Sequence, residues 1–303
     1  MTGRLILLAA MLWSSPAPSQ GPNPQPPIYG VHYSFEKMTA VRQIQDQHDK
    51  GSIRLVSYVF RPLQNDRREV VVDLHGSLGG LAVAPGEPVL PLNRPKLNLL
   101  LQRGYTVVVP MRLGFGESEG EFVEECAYQA GKCTLAEYRT LMPSGLSDAL
   151  ASTEAVMQQV VVGKLKPRSG KVVLWGSSRG GILALHYAAA HPEQVRGVIA
   201  VSPGWLSLSE RWPREEVAER VTVQRQLLAR AGSAYRGATL WVYAGRDAQL
   251  PGPLSRQLFE AYTTAGGHGQ YVYVPEHPLP SGHVPPVDLW KDEAERFLRQ
   301  LEN

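Results

Sequence analysis

Two five-residue stretches place glycines on either side of a serine: Gly176-Ser177-Ser178-Arg179-Gly180 and Gly116-Glu117-Ser118-Glu119-Gly120. This spacing suits a nucleophile presented on a tight turn, because glycines two before and two after the serine let neighbouring chains come close. The pattern alone is weak, since chance supplies about 0.1 match in a chain of this length. Context separates the two. "KVVLWG" ahead of Ser178 reads as a strand and "ILALHYAAA" behind it as a helix, whose N-terminus favours a developing negative charge. Ser118 stands several residues past its last strand-like residue, Met111, and the "EGEFVEE" that follows would oppose an oxyanion. Ser178 is therefore the expected nucleophile and Ser118 an ordinary loop residue.

A serine hydroxyl needs a base, and the base needs an orienting partner. On a strand-turn-helix elbow these follow in the order serine, acid, histidine. "TLWVYAGRDAQLP" puts Asp247 just after a later strand, and "YVYVPEHPLPSGHVPP" offers His277 and His283 past the last one. His283, in a flexible Ser-Gly context, is preferred, because His277 follows its strand too closely. Glu276 and Asp288 are the weaker acids. Attack on an acyl carbonyl also calls for preorganised donors. The backbone N–H of Arg179 is one. The loop of "VVVDLHGSLGG" supplies the other, with the Ser77 N–H first choice and Leu78 second. His75 is expected to steady that loop through a hydrogen bond.

These residues need a scaffold. Strand-like runs fall at 54–62, 69–76, 105–111, 171–176, 197–203, 238–245 and 271–276, and helical spacing at 96–104, 146–161, 180–192, 254–267 and 287–301. Alternation of this kind predicts one α/β domain over 51–303, a mostly parallel central sheet with helices on both faces. Two stretches interrupt it: a loop-rich excursion at 112–145 and a lid-like insertion of one or two helices at 204–236. Both leave from carboxyl ends of strands, where ligands bind in such sheets. Phe122, Tyr128, Trp205 and Trp212 could line a pocket there.

Residues 1–20 have the n-, h- and c-region order of a secretory signal, with cleavage expected after Ser19; "LILLAAMLW" is too short to span a bilayer. Residues 21–50 read as a Pro-rich linker and N-terminal segment. The expected setting is secreted or periplasmic, with no integral membrane anchor in the mature chain. The two cysteines, Cys126 and Cys133, then fit a disulfide stapling the first excursion, whereas two thiols without a nearby histidine do not make a zinc site. A net charge of +3 over 303 residues gives no reason to expect a nucleic-acid partner. No metal or cofactor is called for.

The stretches "LHGSLGG", "MRLGFGESEG", "WGSSRGG", "GRDAQLP" and "SGHVPP" together resemble the α/β-hydrolase superfamily, most closely its dienelactone-hydrolase-like and prolyl-oligopeptidase-like branches. The resemblance covers about residues 50 to 300. It implies Ser178 as nucleophile, Asp247 as orienter and His283 as base. It also implies that "RLGFGESEG" is a loop packed beside the site, with Leu113 where relatives carry glycine. The cysteine nucleophile of dienelactone hydrolases is replaced here by Ser178, and no propeller domain is present. The expected activity is hydrolysis of a small carboxylic ester through an acyl-enzyme. The alternatives are a peptidase or amidase anchored by Glu215 and Glu216, an acyltransferase, or a binding protein that kept the fold.

Overall fold

Strands carry every buried run that the sequence marks out, and the elements between them take both faces of one sheet. The computed structural model describes residues 23–28, 30–45, 50–76, 94–120, 134–204, 214–275 and 282–302. Within them the strands are β1 (Asn23–Ile28), β2 (Val31–Gln45), β3 (Lys50–Pro62), β4 (Glu69–Leu74), β5 (Tyr105–Pro110), β6 (Val172–Ser177), β7 (Val195–Val201), β8 (Ala238–Ala244) and β9 (His268–Val274). The helices are α1 (Arg94–Gln102), α2 (Leu135–Met157), α3 (Arg179–Ala190), α4 (Arg214–Ala234), α5 (Gly252–Thr264) and α6 (Lys291–Glu302).

The sheet order is β1-β2-β3-β5-β4-β6-β7-β8-β9. From β5 to β9 all neighbours are parallel, and β1, β2 and β3 add antiparallel strands at one edge. This is the mostly parallel α/β sheet expected. Alternation along β4 shows why both faces are covered. Val70, Val72 and Leu74 join a core with Leu146, Leu183, Leu228 and Leu258 of α2 to α5, while Val71 joins one with Leu100 of α1 and Phe297 of α6. The chain steps to one side of β4 for β5 and to the other for β6, so a crevice opens at the carboxyl ends of β4 and β6.

Three expectations need correction. Residues 23–45, read as linker and N-terminal segment, carry β1 and β2. The charged residues of "SFEKMTAVRQ" disguise β2, because past its pairing with β1 one face stays wet: Lys37, Thr39 and Val41 are exposed while Met38 and Ala40 go inward. The excursion at 112–145 is not all loop, because α2 begins at Leu135. A reciprocal cap starts it: Thr134 Oγ1 accepts the Glu137 N–H at 3.2 Å, and the Glu137 carboxylate accepts the Thr134 N–H at 2.7 Å. The helix runs on through Pro143. An internal proline costs about 3 kcal/mol, but Tyr138 and Met142 are both fully buried beside it, each worth about 1.5–3 kcal/mol. Third, the helical run at 287–301 is divided. A 3-10 turn over Val287–Leu289 precedes α6.

The β2–β3 hairpin is long. Its register runs from Tyr33 opposite Pro62 to Gln45 opposite Lys50, whereas β3 pairs with β5 only through residues 57–60. The rest projects about 20 Å past the carboxyl end of β5, the end that carries the crevice. Arg42 clamps this arm to α2, donating to the Asp148 carboxylate at 2.8 Å, the Asp148 carbonyl at 3.1 Å and Ser152 Oγ at 3.2 Å.

Candidate active site

Ser178 sits between β6 and α3 with φ 54° and ψ −119°, a left-handed conformation for a residue with a side chain. Such strain costs about 1–3 kcal/mol and must be held in place. The Ser178 N–H donates to the Val201 carbonyl at 2.8 Å, and its own carbonyl accepts from Gly181 at 2.9 Å and Gly204 at 3.2 Å. The flanking glycines are spatial requirements. A Cβ on Gly176 would run into the Gly180 carbonyl, and one on Gly180 into the carbonyls of Leu74 and His75.

Two later loops meet this turn. His283 Nε2 lies 2.9 Å from Ser178 Oγ, and His283 Nδ1 lies 3.0 and 2.9 Å from the two carboxylate oxygens of Asp247. A carboxylate can only accept, so Nδ1 carries the proton and Nε2 is left to accept from the serine. Asp247 is itself fixed. Its Oδ1 takes the N–H groups of Gln249 and Leu250 at 2.9 Å each, and its side chain is fully buried. Gly282 lets the two loops touch, since a Cβ there would strike the Arg246 carbonyl. The sequence-expected Ser178, Asp247 and His283 therefore form one line of hydrogen bonds from segments far apart in the chain. Such a line can deprotonate a serine as it attacks a carbonyl.

Arg179 is the first residue of α3 and is buried. Its N–H belongs to the helix end whose N–H groups point out along the axis. Ser77 and Leu78 lie outside the described residues. The loop leading to them is described as far as Gly76, where a Cβ would stand 3.2 Å from the Ser178 Cβ. His75 Nδ1 donates to the Gly76 carbonyl at 2.8 Å, in keeping with a loop-fixing role. Cys126, Cys133, Phe122, Tyr128, Trp205, Trp212, Glu276 and His277 also lie outside the described residues. Asp288 begins no contact with the serine, and sits in the 3-10 turn before α6. Glu216 pairs with the buried Arg220 at 3.2 Å.

Ser118 does not approach this line. Its Oγ donates to the Met111 carbonyl at 2.7 Å and accepts the Val56 N–H at 2.9 Å, stitching the loop after β5 onto the projecting part of β3. Arg112, which heads the glycine-rich loop that the resemblance packs beside the site and to which the sequence assigned no role of its own, is buried and bonds the carbonyls of both His75 and Gly76. Among the described residues, no group of three or more His, Cys, Asp or Glu is arranged to hold a metal ion, and no helix is long and apolar enough to cross a membrane.

The sequence pattern described as the alpha/beta hydrolase fold matches residues 69–238. No curated protein matches the chain by sequence. Solved structures are similar in fold at low identity. An esterase of Pyrococcus furiosus, Pf2001, has a TM-score of 0.56 at 13% identity, covering 89% of each chain. Est1E from Butyrivibrio proteoclasticus, with ferulic acid bound, has a TM-score of 0.54 at 16% identity, over 82% of this chain and 96% of that one. Acetyl xylan esterase 1 from Thermoanaerobacterium sp. JW/SL YS485 has a TM-score of 0.53 at 18% identity, over 91% of this chain and 90% of the other.

Proposed function

The chain belongs to the alpha/beta hydrolase fold family, and we propose that it is an exported serine hydrolase of small carboxylic esters. The reading rests above all on the hydrogen-bond line Ser178–His283–Asp247. In it Ser178 Oγ attacks the ester carbonyl while His283 Nε2 takes the proton. Asp247 keeps Nδ1 protonated and balances the imidazolium that forms. The tetrahedral oxyanion is received by the N–H groups of Arg179 and Ser77. His283 returns its proton to the departing alcohol, leaving an acyl-enzyme. A water deprotonated by the same nitrogen then releases the acid.

Ester rather than amide is favoured by the esterases among structures of this fold. Export is supported by the signal-like order of residues 1–20, and in that setting Cys126 and Cys133 would close a disulfide. A fluorophosphonate probe should label the wild type and not Ser178→Ala. Matched p-nitrophenyl esters and anilides should show turnover of the ester alone. Labelling that survives Ser178→Ala would end this reading, and faster anilide cleavage would replace the esterase with an amidase.

A further inference from the structure

Ser202 stands at the exit of β7 with φ 43°, fully buried. Among the described residues, the other non-glycine residues with positive φ are Asn65 and Arg68, in the exposed turn between β3 and β4, and Ser178 itself. A short polar side chain can offset a left-handed backbone by bonding locally. The Ser202 hydroxyl does not, because its Oγ has no hydrogen-bond partner among the described residues. The conformation is imposed from outside, and it is imposed beside the nucleophile. We propose that Ser202 is a positioning residue for Ser178: its strained backbone stiffens the turn at 201–204, which holds the nucleophile in its attacking orientation. This rests on the esterase reading above.

The turn grips both peptide planes of Ser178. The Val201 carbonyl accepts the Ser178 N–H at 2.8 Å, and the Gly204 N–H donates to the Ser178 carbonyl at 3.2 Å. Fixing both planes fixes the direction in which the Ser178 side chain leaves the backbone. The second bond does more. In a trans peptide the C=O and N–H point in opposite directions, so holding the Ser178 carbonyl also aims the N–H of Arg179. Only Ser202 and Pro203 lie between the two gripping groups. The Pro203 ring sets its own φ, and a residue before proline has fewer backbone choices. A side chain at positive φ confines Ser202 to the small left-handed region. The spacing of the grip therefore has little torsional freedom. A glycine at 202 would restore that freedom.

The far side of the turn rests on β8 and on the loop that carries the acid. The Ser202 N–H donates to the Val242 carbonyl at 2.7 Å, and the Tyr243 hydroxyl to the Pro203 carbonyl at 3.4 Å. Gly204 packs on Leu250, where a Cβ would stand 2.8 Å from the leucine side chain. The Leu250 N–H in turn holds Asp247 at 2.9 Å. Nucleophile and acid thus share one backing, with Ser202 at its tightest point.

The test compares wild type with Ser202→Gly, Ser202→Ala and Asn65→Gly by p-nitrophenyl acetate kinetics, by the rate of fluorophosphonate labelling at Ser178 and by thermal melting. Ser202→Gly removes the strain and the unpartnered hydroxyl together, so its Tm should lie no more than about 3 °C below wild type. Its kcat should nevertheless fall by about tenfold, with KM changed by less than about threefold and the labelling rate falling in step. Ser202→Ala keeps the Cβ that confines the backbone and should recover most of that loss. Asn65→Gly relieves the same kind of strain in an exposed turn and should leave kcat within about threefold of wild type. The proposal is overturned by a Ser202→Gly kcat within about threefold of wild type, or by a Tm loss beyond about 3 °C, which would make the residue merely structural. It is also overturned if Ser202→Ala is as slow as Ser202→Gly, or if Asn65→Gly loses as much. Fluorophosphonate labelling of wild-type Ser178 separates the underlying reading: without it both fail, and with it only Ser202 is at issue.

Discussion

Ser118 Oγ accepts the Val56 N–H at 2.9 Å while donating its proton to the Met111 carbonyl at 2.7 Å. A hydroxyl spent in this way on two backbone partners is a brace. Ser118→Ala would leave two buried backbone groups without their partner, a cost of about 1–3 kcal/mol. The variant should lose that much in urea denaturation yet keep fluorophosphonate labelling at Ser178. Full stability with lost labelling would mean that Ser118 does chemistry.

The elbow glycines make a sharper contrast. On Gly180 a Cβ would be driven into the Leu74 carbonyl, backbone held at the carboxyl end of β4 by its pairing beside β6. On Gly252, at the start of α5, the nearest atoms are the Tyr273 ring at 3.4 Å. Gly180→Ala should lose more than about 3 kcal/mol or fail to fold, and Gly252→Ala should stay within about 1 kcal/mol of wild type. Equal midpoints for the two in thermal melts would contradict the packing described at the turn.

These contrasts also show what could be read from the chain itself. The Ser178 elbow was legible because strand, turn and helix are contiguous, each with its own period. Asp247 and His283 were legible because chain order and strand ends constrain them. Arg112 was not. Its partners are carbonyls on another strand's exit, 36 and 37 residues away, and carbonyls leave no trace in residue types. Strand β2 of the hairpin arm was missed for a related reason. A strand with one wet face looks like a charged linker until its partner is known. The start of α2 was hidden by Pro143, which outweighs the Thr134–Glu137 cap in any local reading and loses to Tyr138 and Met142 in the folded chain.

Asp247→Asn tests the tautomer argument rather than the fold. With its oxygen in the place of Oδ1 an amide keeps both backbone N–H bonds from Gln249 and Leu250, and its NH2 then stands in the place of Oδ2, toward His283 Nδ1. The histidine proton then shifts to Nε2, where it can no longer accept from Ser178. A loss of about 10³- to 10⁴-fold in kcat is expected, as for the same change in a serine protease triad. Activity within tenfold of wild type would show that Asp247 does not set the tautomer.

Glu302 gives a pH dependence with a definite sign. Its burial at the end of α6 pushes its carboxyl pKa up, but hydrogen bonds from Arg67 and Arg103, at 2.5 and 2.9 Å, overcome this and bring it down to about 2. The unfolded value is about 4.3. A depressed carboxylate pKa stabilises the fold fully above the unfolded value, and the contribution drains away as pH falls through the folded one. Because Glu302 is partly open to solvent, screening reduces the contribution to about 1 kcal/mol. Glu302→Gln should therefore cost about that much at pH 7. The gap from wild type should close between pH 4 and pH 2 as the native carboxylate takes up its proton. Urea denaturation of both proteins at pH 7, 4 and 3 reads this directly. A gap that stays constant over that range would mean that Glu302 holds α6 against the α1–β5 turn by packing alone.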